Sequence, residues 1–177
     1  MKVDLKDFRS VEILVNSEKD IVIFPISKTD HPIELADGSI EEFGYMTAYY
    51  PIELKNPYTI DALAQKIEFG IEQWDKHKCY ENFSGKNTFE EKYYGIKGFK
   101  NAVKGNLYIT LGWDDIQGKY VSLSVPLKRG YAYIVLDDKR LPDDADWIDF
   151  ANVVMEYINM DIKELSSFKT YKSKLNL

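Results

Sequence analysis

Apolar and polar positions follow two different periods along this chain, and the changes of period mark its elements. Val11 to Val15 and Ile21 to Ile26 are apolar, β-branched runs separated by Asn16-Ser17-Glu18-Lys19-Asp20. Turn-forming residues between two such runs predict a β-hairpin. Ser27 to Ile40 is polar and holds Pro32 and Asp37-Gly38, which predicts a loop or a second small hairpin. Phe43 to Ile52, with Tyr45, Thr47, Tyr49 and Tyr50, reads as a strand.

From Tyr58 to His77 the period becomes helical. Ile60, Leu63, Ala64, Ile67, Ile71 and Trp74 recur at three- and four-residue steps and form one apolar stripe. Asn56-Pro57 supplies an N-cap and a first turn. Gly70 interrupts the stripe at a cost of ~1 kcal/mol in helix propensity and leaves room for a neighbour to come close. Thr88 and Glu91 have the spacing of a capping box, which starts a short helix ending near Gly95. Phe99 to Lys104 adds a further helical turn, closed by Gly105.

The period then returns to two. Leu107 to Trp113, Tyr120 to Val125 and Tyr131 to Leu136 read as three strands joined by short glycine-bearing connections, so an antiparallel meander is expected. A helix follows from Asp144 to Asn159, with Trp147, Ala151, Val154 and Ile158 on its buried stripe and acids crowding its first turns. The lysine-rich tail after Phe168 is expected to fray. The simplest assembly is a single α+β domain over residues 1–177, a mainly antiparallel sheet with two long helices packed on one face. The other face then carries Tyr and Thr, or lies under the segment from Cys79 to Gly105.

Composition narrows the function. The chain has 177 residues, enough for one domain and its core. With 29 acids and 23 bases its formal charge is −6, which argues against a general nucleic-acid binder and suits a basic protein partner. Cys79 is the single cysteine, so no internal disulfide forms. The first nine residues lack an apolar signal core, and no run approaches a membrane span, so a cytoplasmic protein is expected.

Catalytic signatures are missing. Two histidines and one cysteine fall short of a zinc site, and His77-Lys78-Cys79 reads as a helix end with an incidental thiol. No phosphate loop or nucleophile elbow occurs. Asp114 and Asp115, with Asp137, could hold Mg²⁺ at adjoining strand ends, which keeps a small metal-dependent enzyme as the alternative. Asp114-Asp115 and Asp137-Asp138 equally suit tight turns, since Asp bonds its own backbone.

The segments Lys92-Tyr93-Tyr94-Gly95-Ile96-Lys97-Gly98-Phe99, Ile109-Thr110-Leu111-Gly112-Trp113-Asp114 and Leu141-Pro142-Asp143-Asp144-Ala145-Asp146-Trp147 resemble the CdiI-type immunity proteins of bacterial contact-dependent growth inhibition. The resemblance covers roughly the C-terminal half. It implies a cytoplasmic, non-catalytic protein without cofactor or metal. Such a protein binds and blocks the toxin domain of a cell-surface effector, and these toxins are often basic nucleases. No site residues carry over from the family. The residues themselves point to an acidic rim: Asp114, Asp115, Asp137, Asp138, Asp143 and Asp144. In a meander the strands ending at Trp113 and Leu136 run in the same direction, so their ends are expected at one sheet edge, ~10 Å apart.

Overall fold

The computed structural model describes residues 9–29, 33–34, 40–41, 44–47, 50–73, 89–114, 118–128 and 133–177. The fold is α+β. Strands β1 (Arg9–Val15) and β2 (Ile21–Thr29) form the expected hairpin, Val15 facing Ile21. Its turn is held by Asn16, whose side-chain oxygen accepts from the amides of Glu18 and Asp20, both at 2.9 Å. The polar segment that follows contains a two-residue hairpin, β3 (Ile33–Glu34) with β4 (Ile40–Glu41). The single strand expected from Phe43 to Ile52 is two short ones, β5 (Gly44–Thr47) and β6 (Ile52–Leu54), both paired with β2.

Strands β7 (Leu107–Asp114), β8 (Gly118–Pro126) and β9 (Tyr133–Arg140) form the meander, and β7 pairs with β1. The antiparallel sheet therefore runs β5-β2-β1-β7-β8-β9, with β6 beside β5 on the same edge of β2. Alternation sorts its side chains. Val11, Ile13, Ile23, Ile109, Leu111, Val121 and Leu123 are fully buried on one face.

That face packs against helices α1 (Ile60–Glu72) and α4 (Trp147–Asn159), whose Leu63, Ile67, Phe150, Val154 and Tyr157 complete the same core. Each helix has 13 residues, shorter than the sequence pattern predicts. Thr59, rather than Asn56, caps α1: its side chain accepts from the Ala62 amide at 3.1 Å. Gly70 serves the close approach expected of it. A Cβ there would sit 3.2 Å from Val11 and 3.4 Å from Ile23 on the sheet.

The other face is covered in part by two further helices, α2 (Phe89–Tyr94) and α3 (Phe99–Ala102). Phe99 and Val103 pack there against Leu14, Val22, Phe24 and Tyr108. The two helices on the first face are therefore not the two long ones expected, while α2 and α3, from the segment expected to cover the other face, lie on that face. Thr88 lies outside the described residues. Glu91, its expected capping partner, accepts a hydrogen bond from the Gly98 amide.

The C-terminal tail is docked and not frayed. Helix α5 (Ser166–Tyr171) buries Phe168, and Leu175 is 2% exposed. Lys128 N donates to Lys174 O and Asn176 N to Pro126 O, both at 2.9 Å, so the tail adds a short bridge beside β8. Two apolar anchors in a lysine-rich stretch are enough to fix it.

Helix α4 begins at Trp147, three residues later than the acidic run predicts, because Asp146 is the cap. Asp146 Oδ1 accepts from the amides of Ile148 and Asp149, and Asp149 Oδ2 accepts in return from Asp146 N. An Asp146→Ala variant is expected to lose about 1 kcal/mol, and Asp146→Asn much less, measured by thermal unfolding.

Candidate functional site

The register of the meander decides which acids meet. Asp114 faces Gly118, and a Cβ on Gly118 would lie 3.9 Å from Asp143 Oδ1. Lys119 Nζ donates to the carbonyls of Asp143 and Ala145, both at 2.6 Å, and Leu141 N donates to Lys119 O at 3.0 Å. These bonds tie the turn after β9 to the β7–β8 end of the sheet. Asp143 and Asp144 are exposed on that rim, next to the backbone of Asp114.

Asp137 and Asp138 are elsewhere, and the expected single rim is corrected accordingly. Strand β9 continues to Arg140, so both residues lie within a strand and not in a loop. Asp138 pairs with Ser122, which faces Thr110 on β7, four residues short of Asp114. At strand rise this is a setback of ~13 Å. The two acids also point to opposite faces and have partners within the protein. Asp138 accepts from Ser122 and forms an ion pair with Arg140 at 3.0 Å. Asp137 lies beside the buried Tyr157, whose hydroxyl donates to Val121 O at 3.3 Å and is pushed above its ordinary pKa first by burial and then by that carboxylate.

Asp137 faces Leu123, which faces Ile109, so it stands five residues or ~17 Å back from Asp114, and these two acids of the metal-enzyme alternative do not meet. No group of three potential metal ligands occurs among the described residues. Asp115 and the His77–Cys79 segment lie outside them.

Charge is distributed unevenly between the layers. Helices α1 and α4, with the Asp146 cap, hold Asp61, Glu68, Glu72, Asp146, Asp149 and Glu156 against one base, Lys66. Six acids and one base give this layer a net charge of −5 among the described residues. On the other side of the sheet, α2 and α3 and the turn after them carry Lys92, Lys97, Lys100 and Lys104, while Glu90 and Glu91 are buried. The acidic rim at Asp143 and Asp144 runs into the start of α4, so rim and helix layer form one acidic surface. Sequence reading found the rim acids but not this layer, because Asp61, Glu68 and Asp149 are distant in the chain.

A second polar cluster went unseen in the sequence. Glu12 sits in the central strand β1 and faces the side of the sheet that carries α2. Tyr108 donates to its carboxylate, and Glu90 approaches from α2; burial, and then Glu90, push its pKa up to about 7. Tyr133 stacks on Tyr108 at 3.9 Å, and Phe99 meets Tyr133 edge-on at 5.6 Å. The available signal was a lone acid in the apolar run from Val11 to Val15.

No protein-family model matches the chain, and no curated protein matches it. Among solved structures it is similar to a protein of unknown function from Neisseria meningitidis. The TM-score is 0.52 over 90% of this chain and 98% of that one, at 10% identity. Identity that low makes this a likeness of fold.

Proposed function

We propose that this chain is a cytoplasmic immunity protein of the CdiI type, which binds and neutralises the basic toxin domain of a contact-dependent growth inhibition effector. The observation that carries the reading is the clustering of acids among the described residues: the α1–α4 layer with its cap holds six acids against one base, and the adjoining rim adds Asp143 and Asp144. Such a surface steers a basic partner into encounter and repels nucleic acid. The sequence resemblance supplies the class of partner. A toxin cleft that accepts phosphate would accept the carboxylates of Asp143 and Asp144 on similar terms, and the bound protein would then close the substrate path. Among the described residues no helix is long and apolar enough to cross a membrane.

Toxin-binding kinetics test this. An Asp143→Lys, Asp144→Lys variant is expected to associate about tenfold more slowly with the cognate toxin domain, with a weaker dependence on salt. The control is Glu18→Lys. Lys19 bonds Asn159 at the far end of α4, which puts Glu18 about 20 Å from Asp146. Equal rates for parent, rim variant and control would remove the rim from the interface.

A further inference from the structure

We propose that the groove between α1 and α4 seats an apolar side chain carried on a basic protein segment, and that this is where the partner anchors. The inference rests on the protein-binding reading above for the partner's identity, and on the groove for its chemistry.

Ala64 presents only a methyl group on α1 where Trp147 and Ile148 begin α4, and a depression of about 200 Å³ remains between the helices. Ala64, Trp147 and Ile148 give it an apolar lining, with Gln65 beside them. Trp147 is held in place by Trp113 at 5.9 Å and Phe150 at 5.8 Å, so the floor is rigid. Ile148 remains 36% exposed, and Ile60, at the start of α1, 39%. Carboxylates stand around the groove. Asp61 and Glu68 line it from α1 and Asp146 from the α4 cap, and no base lines it. Asp146 Oδ1 accepts both cap bonds, from the amides of Ile148 and Asp149.

Asp61 and Glu68 are seven residues apart on one helix face, or about 10.5 Å. A partner helix with Lys or Arg one turn before and one turn after a Leu or Met matches that spacing, each cation meeting a carboxylate and the apolar side chain entering between them. Apolar contact slows dissociation while charge speeds encounter, and the two features serve one ligand only if it is basic and apolar together. An acidic or phosphate-bearing ligand would meet three carboxylates.

The test uses a helical peptide bearing one Leu flanked by Lys and Arg, a second peptide with Glu in place of the bases, and the toxin domain. The Trp147 indole N–H resonance is followed in the ¹⁵N-labelled protein. The basic peptide is expected to shift it saturably and the acidic peptide to leave it in place. Asp61→Lys with Glu68→Lys is expected to weaken both the peptide and the toxin domain at least tenfold. No shift with the basic peptide, or an equal shift with the acidic one, overturns the groove. Toxin binding unchanged by the double variant also overturns it, while leaving the immunity reading in place. A saturable, charge-dependent peptide response without toxin binding upholds the groove and removes the immunity reading.

Discussion

Gly112→Ala is expected to destabilise the protein by about 3 kcal/mol or more, because the new methyl group has no space to enter. Gly112 sits in β7 opposite Ser10 of β1, and a Cβ there would lie 1.8 Å from the Arg9 carbonyl oxygen and 2.9 Å from Ser10 Cα. These are backbone atoms of the neighbouring strand, so no rotamer relieves the overlap. The β1–β7 pairing must open at that end, and it is the seam between the N-terminal hairpin and the meander. For a chain of this length the loss corresponds to roughly 6–12 °C in Tm. Gly95→Ala is the comparison: its φ is +66° but nothing lies within 4 Å, so only the left-handed strain remains, about 1 kcal/mol. Thermal melts of the two variants check this, and similar losses for both would contradict it.

Glu12→Gln has the second largest expected effect, and it depends on pH. Glu12 has an ordinary value of 4.5 and a folded-state value of about 7. The folded protein therefore holds the proton more tightly than the unfolded chain. The favourable contribution is complete below about 4.5 and is lost as pH rises through 7, after which the difference is constant. The full shift corresponds to about 3 kcal/mol, and since the side chain keeps some solvent contact about 2 kcal/mol is expected. Gln keeps an acceptor for Tyr108 and cannot ionise beside Glu90. Subtracting its stability from the parent's in urea titrations at pH 5 and pH 8 isolates Glu12 from every other titrating group. The variant should gain about 2 kcal/mol on the parent at the higher pH. Parallel curves would show that Glu12 is ordinary. Asp20 does not interfere: Asn56 N–H and Lys55 hold its value below the usual 3.8, outside this window.

The two variants also show what the sequence discloses. Periodicity located the hairpin, the meander and both helix cores, because burial of a stripe or an alternating face leaves its period in the residues themselves. It misplaced ends where chemistry and not hydrophobicity sets them. Asp137 to Arg140 read as a polar turn, but they continue β9 because an edge strand tolerates exposed charge and each of these side chains has a neighbour across the sheet or on α4: Asp137 beside Tyr157, Asp138 with Ser122, Lys139 with Glu156, and Arg140 over Tyr120. Asp143 and Asp144 looked like the first helical turn, but the cap falls on Asp146, the acid whose geometry reaches the amides. Of the six rim acids, Asp143, Asp144 and the backbone of Asp114 gather as expected. Asp137 and Asp138 do not, since a β-bulge at Leu123/Ser124 and the strand's extra length set their register. Glu12 and the acidic helix layer were hidden for another reason: each depends on residues that are far apart in the chain.

The central claim is that this acidic surface binds a basic toxin domain. Calorimetric titration of the purified chain with a basic toxin domain of this class, sought in the gene directly upstream, tests it most directly, run at low and at physiological ionic strength. A saturable complex is expected, weakened by salt and by reversing the rim charges, and accompanied by loss of toxin activity in the same tube. An absence of heat at both ionic strengths, with the toxin still fully active, would contradict the claim.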